Sequence, residues 1–243
     1  MIVGRVVGMW RYPVKSMAGE PLEAAEVSWH GLAGDRRWAF VRDGQVASNF
    51  PWLTIRQLPD MTRYQPKLVD PQRPEASATV VRTPAGRELD VTDPALCKEL
   101  GDGVRVMKQN RGIFDTAPLS LMTTQSVENI GKLAGARLRP ERFRPNVVIE
   151  ATGDEPFQED GWVGHTVRIG GIEMHVDQRD SRCVLINYDP HTAERNPAVL
   201  KAVAKERDNY LGVYGAPTRE GVIRVGDEVH LDPAGRMEDL SAG

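Results

Sequence analysis

Glycine and proline interrupt this chain so often that no long, unbroken element fits between them. Its 243 residues hold 23 glycines and 17 prolines, and the runs left between them are short and rich in β-branched side chains. The pattern predicts strands over residues 2–10, 38–41, 79–82, 103–107, 146–150, 166–169, 172–176, 184–186 and 228–231. Short strands separated by turn residues build sheets or barrels in preference to a parallel α/β layer. Helical periodicity is carried by two stretches. Residues 119–133 place Leu121, Val127, Ile130 and Leu133 on one side; residues 196–210 have Pro197 in the first turn and Val199, Leu200 and Val203 as an apolar face. The expected fold class is mainly β with a few helices (α+β).

The length suits one large domain or two small ones. A change of pattern near residues 110–115, from strands and Pro-rich turns to the first periodic helix, divides the chain into 1–110 and 111–233, with a fraying tail over 234–243. A net charge of −3 argues against nucleic acid or an anionic membrane as the main partner. No apolar run is long enough for a membrane span. The opening Met1-Ile2-Val3-Gly4 is too short and glycine-broken for a signal peptide, so a cytoplasmic protein is expected. The two cysteines, Cys97 and Cys183, form no CxxC pair and no disulfide framework. Two cysteines also cannot hold an iron–sulfur cluster of the four-cysteine kind.

The residues with chemistry lie beside these turns. In Ser181-Arg182-Cys183, a thiol follows a guanidinium and precedes an apolar Val-Leu-Ile run. Such a thiol is either inert packing or a group whose thiolate the neighbouring cation favours, fit to act as nucleophile, redox group or soft-metal ligand. Pro13 restricts Tyr12, so Lys15 and Ser16 follow a defined bend and pair an ammonium with a hydroxyl. The turn Gly31-Leu32-Ala33-Gly34 delivers Asp35-Arg36-Arg37 to a strand, where alternation would send the two arginines to opposite faces; it lacks the ending of a phosphate loop. Arg144 and Asn146 flank a proline ahead of an apolar strand. One offers a planar fork for phosphate or carboxylate, the other a donor and an acceptor for a heterocycle edge.

Taken together, Tyr12-Pro13-Val14-Lys15-Ser16, Gly31 with Asp35-Arg36, Phe143-Arg144-Pro145-Asn146, Ser181-Arg182-Cys183, Asp189-Pro190 and Val225-Gly226-Asp227 resemble the MOSC family in its two-part form, the group of the mitochondrial amidoxime reducing component and its bacterial counterparts. The resemblance spans nearly the whole chain, with the pieces in order. It implies an N-terminal MOSC-type β-barrel domain over 1–110, a MOSC β-barrel domain over 111–233, and a cofactor cleft between them. It implies a molybdenum oxidoreductase that reduces N-hydroxylated compounds, with Cys183 as catalytic residue and ligand to the molybdenum of a molybdopterin cofactor. Lys15, Ser16, Arg36, Arg144, Asn146, Ser181 and Arg182 then match positions around the pterin and its phosphate, with Thr116, Thr123 and Tyr214 as further matches. It also implies a separate flavin or iron–sulfur electron donor. His175, Asp177 and Asp180 are candidates for moving protons. Two other readings stand beside this one: a carrier of sulfur or of the cofactor with no turnover, and a pyridoxal phosphate site on Lys15, which the strand-rich pattern disfavours.

Overall fold

The computed structural model describes residues 1–44 and 50–232; the expected tail lies outside the described residues. The expectation of a mainly β fold with a few helices is borne out. Seven strands close into a barrel: β1 (Ile2–Arg11), β2 (Leu119–Thr123), β3 (Val147–Ala151), β4 (Thr166–Ile169), β5 (Ile172–Ser181), β6 (Tyr210–Arg219) and β7 (Glu228–Leu231). Around the barrel they run β3-β2-β6-β5-β4-β7-β1, and β1 pairs again with β3. An odd number of strands cannot alternate all the way round, so one neighbouring pair must be parallel. That pair is β2 and β3. A parallel pair needs a long crossover, supplied here by helix α2 (Thr124–Ala134) and the 3-10 turn Pro140–Phe143. Helix α1 (Pro94–Leu100) lies earlier in the chain and α3 (Pro197–Arg207) later. Among the described residues, no helix is long and apolar enough to cross a membrane.

The barrel interior is apolar. Val6, Met9, Leu121, Ile149, Val167, Met174, Val176, Val213 and Val229 pack there, each almost wholly buried, and burial of each large side chain is worth about 1.5–3 kcal/mol. A second cluster, around Phe40, Ile55, Met61, Val81 and Leu96, holds together smaller sheets formed before residue 110. A third seals α2 and α3 onto the outer face of the barrel through Met122, Ile130, Val199 and Val203.

Three sequence expectations are corrected. The helix expected from residue 119 begins at Thr124, and the first five residues are β2. All five are buried: Leu119 and Leu121 belong to the barrel core and Met122 to the helical cluster. A strand covered on both sides loses its alternation and cannot be told from a helix by period. The strand expected over 184–186 is a 3-10 turn, Val184–Asn187, with Ile186 packed among the helices. Arg36 does not alternate with Arg37 on a strand; it sits in a left-handed turn, φ 48°, and the strand begins at Trp38.

These departures position the cleft. The crossover returns Arg142, Arg144 and Asn146 to the mouth of the barrel just before β3. Strand β5 ends there at Ser181, after register shifts against β6 between Val176 and Gln178 and between Arg179 and Ser181. Bulges of this kind re-aim side chains at strand ends. From the first half of the chain, Arg36 N donates to Tyr12 O at 2.7 Å and Lys15 N to Trp38 O at 2.8 Å, which clips the two turns side by side. Gly31, at φ +85°, lets the same turn approach the segment just before β2, because a Cβ there would lie 2.5 Å from Pro118 O.

Candidate functional site

A cavity of about 350 Å³ opens where these segments meet. Lys15, Ser16, Arg36, Thr116, Arg144, Ser181, Arg182, Cys183 and Tyr214 all line it. Asn146 and Thr123 do not. Asn146 lies directly behind the wall: its Oδ1 accepts from Arg36 Nη1 at 3.3 Å and its Nδ2 donates to Asp35 Oδ2 at 3.3 Å. Thr123 caps α2, and its hydroxyl donates to the buried carboxylate of Glu159 at 2.7 Å. Of the three candidates for moving protons, only Asp180 lines the cavity; Asp177 is exposed and His175 half-buried elsewhere on β5.

Six cationic side chains and two carboxylates line the cavity, Arg56 and Arg142 joining the four cations already named. The cations are held in place by a buried scaffold. Asp35, 1% exposed, accepts from Tyr12 N at 2.6 Å and pairs with the Arg36 guanidinium. Arg36 and Arg144 both lie over the Tyr12 ring, at 4.9 and 4.3 Å from its centroid, within cation–π range. Burial, the largest single influence, lowers the Arg36 pKa; Asp35, Tyr214 and Tyr12 together outweigh it and the net direction is up. Arg144 has no such carboxylate partner. Burial brings it down to about 10, so it stays charged at neutral pH, and its Nη1 donates to Met17 O at 2.6 Å. Lys15 is also pulled down by burial, against the influence of Asp115, its ion-pair partner.

Ser16, Arg36 and Arg144 each have positive φ, at 69°, 48° and 56°. Three non-glycine residues in the left-handed region around one cavity concentrate conformational cost there, as functional sites often do.

Arg182 is tied back into the fold. Its Nε donates to Leu211 O at 2.8 Å and its Nη1 to Phe143 O at 2.7 Å. Its Nη2 forms an ion pair with Asp180 Oδ2 at 2.7 Å that is not aligned for a hydrogen bond, and among the described residues neither atom makes a geometric hydrogen bond. Gly212 makes room for this guanidinium: at φ +77°, a Cβ would lie 2.8 Å from Leu121 O and 3.2 Å from Arg182 Nη2. Cys183 is half-buried on the cavity wall. Arg56 lies within hydrogen-bonding reach of its sulfur, and that contact holds the Arg56 pKa above its ordinary value. Among the described residues, no group of three or more His, Cys, Asp or Glu could cage a bare metal ion.

Sequence reasoning missed Arg56, Asp35 and Tyr12 as parts of the site. Arg56 sits in a turn with no distinguishing pattern. Asp35 and Tyr12 stood inside the quoted motifs, but only burial reveals that they organise the arginines.

The family model described as the MOSC domain matches residues 108–230, and the MOSC N-terminal beta barrel domain matches residues 3–115. The chain is 26% identical over 287 residues to the human mitochondrial amidoxime reducing component 2, covering 94% of this chain and 83% of that protein. It is 26% identical over 245 residues to the molybdenum cofactor sulfurase of Drosophila grimshawi, covering 84% of this chain but only 31% of that protein. Among solved structures, the YUAD protein of Bacillus subtilis shares the fold, with a TM-score of 0.52, 14% identity and coverage of 95% and 96% of the two chains.

Proposed function

The chain belongs to the MOSC domain family, and on that footing we propose that it binds a molybdopterin-type molybdenum cofactor in the cleft, with Cys183 as ligand to the metal, and reduces N-hydroxylated compounds of the amidoxime or hydroxylamine type. Its relatives are amidoxime reducing components and molybdenum cofactor sulfurases, which supports a function tied to the molybdenum cofactor. The observation that carries the finer reading is the convergence of one thiol and six cationic side chains on a single cavity, in a chain of net charge −3.

The donor set fits the group. A thiolate is a soft ligand suited to a metal that already carries sulfur. The cations suit a phosphate, each charge-assisted bond being worth about 1.5–3 kcal/mol. When bound, the cofactor supplies two-electron removal of oxygen from nitrogen. The chain's own part is to hold and orient. Lys15, Arg36 and Arg144 face the anion with Ser16, Thr116 and Ser181 as hydroxyl donors, Asn146 steadies Arg36, and Cys183 offers its sulfur. Electrons come from a separate flavin or iron–sulfur protein.

Protein isolated from a host that makes the cofactor should carry about one molybdenum per chain and reduce an amidoxime with a chemical electron donor. Metal-free protein with Cys183 intact would overturn the reading. The sulfurase relatives favour one alternative, a carrier holding a persulfide on Cys183 without turnover; intact mass would show one added sulfur atom.

Asp115 occupies the Lys15 ammonium and would compete with an arriving anion. Asp115→Asn is expected to tighten binding of inorganic phosphate by about fivefold, or about 1 kcal/mol, the upper range for an exposed ion pair. Titration calorimetry checks this, and unchanged affinity would remove Lys15 from the anion site.

A further inference from the structure

Two carboxyl groups line the cavity, and their surroundings set them apart. Asp115 is exposed and paired with Lys15. Asp180 is 2% exposed and sits next to the last residue of β5, where the strand shifts register against β6 between Arg179 and Ser181. Its Oδ2 is ion-paired with Arg182 Nη2 at 2.7 Å, without the alignment of a hydrogen bond. Asp180 is thus a buried carboxyl on the cavity wall, where burial disfavours its charge and the Arg182 guanidinium partly offsets that. The neighbouring buried acid, Glu159, offers no rival: its oxygens accept from Thr123 and Ser126, away from the cavity.

Several segments bring charged or titratable groups to Asp180. Arg182 follows it in the chain, Tyr214 reaches it from β6, Arg36 from the turn before Trp38, and Asp115 from the segment before β2. Lys15, Arg144 and Cys183 line the same cavity.

We propose that Asp180 is a proton donor to the bound substrate, delivering one of the two protons that reduction of an N–OH group consumes. The inference rests on the reductase reading above. In that reaction the N–O bond breaks. Two electrons from the donor protein are taken up, one proton goes to nitrogen, and one goes to the departing oxygen, which leaves as water. Asp180 supplies the proton for the oxygen and is reprotonated from solvent at the cavity mouth. Burial pushes the Asp180 carboxyl up to about 7, with Arg182, Arg36 and the Tyr214 hydroxyl pulling the other way. A donor with its pKa near the working pH is the favourable case for proton transfer.

The test compares wild type, Asp180→Asn and Asp180→Glu as cofactor-loaded proteins, with rates expressed per bound molybdenum and dithionite as reductant. Asp180→Asn should slow turnover by about 100-fold or more, the lower range for loss of a general acid, and should erase the limb of the pH profile near neutrality. Asp180→Glu should recover part of the rate. A second readout needs no turnover. An acid titrating near 7 when folded and near 3.8 when unfolded loses stability as pH rises between those values, because the folded state then binds the extra proton. The melting temperature of Asp180→Asn should therefore rise relative to wild type across that window and hold level above it. An unchanged rate per molybdenum, or a melting difference that ignores pH, overturns the proposal. Loaded wild type that fails to turn over instead overturns the reductase reading, while the melting series still tests the carboxyl.

Discussion

Cys183→Ala is expected to lower molybdenum-dependent turnover by more than about 100-fold, since even groups one step removed from a metal cost about 10–100-fold when lost. Molybdenum content should fall with it. The fold should survive. Cys183 is half-buried, it starts a 3-10 turn, and its side chain makes no cap hydrogen bond there. Alanine keeps the same backbone, so the stability change should stay within about 1 kcal/mol. Metal analysis, single-turnover rate and a melting curve on one preparation separate these effects. A Cys183→Ser variant sharpens the comparison, because a hydroxyl is a hard donor of similar size. A Cys183→Ala protein that keeps metal and rate would remove the sulfur from the metal's surroundings.

The largest expected effect on stability comes from Asp35→Ala, about 3–5 kcal/mol, the range for removing one member of a buried ion pair. Asp35 is 1% exposed and serves Tyr12 N, the Arg36 guanidinium and Asn146 Nδ2 at once. Without it, Arg36 loses its hydrogen-bonded carboxylate while its charge stays buried over the Tyr12 ring and beside Arg144. Asp35→Asn should cost less, since an amide oxygen still accepts from Tyr12 N while the charge is lost. Urea denaturation of both variants measures the difference. A cost for Asp35→Ala below about 1 kcal/mol would mean that Arg36 finds another partner and that Asp35 is not what seats it.

How much of this was legible depends on what each residue's neighbours hide. Strands such as β1 and β4 bury one face and alternate, and residues 2–10 and 166–169 were readable for that reason. β2 is buried on both faces, so its period vanished and it merged with the helix after it. The Val-Leu-Ile run after Cys183 is three residues long, and that length does not separate a strand from a tight turn. At the site, Lys15, Arg36 and Arg144 were visible because they sit beside prolines and glycines that force turns, and Arg182 because it adjoins the thiol. Their left-handed backbone was not visible, since Ser16, Arg36 and Arg144 are not residues that favour positive φ. Alternation puts Asp177 and Asp180, three positions apart on one strand, on opposite faces, but which face turns to the cavity is set by the paired strands and their register shifts.

The barrel is closed by its first strand, which bridges β3 on one side and β7 on the other, and Gly221–Arg224 in turn pairs with Ala24–Ser28. The ring is therefore latched by the strand that comes first in chain order, while the other six staves follow more than a hundred residues later. A polypeptide starting beyond Arg11 would carry two raw sheet margins facing water, the kind that recruit other chains. During synthesis, that first stave can meet β3 well before β7, but the ring cannot close until β7 has emerged.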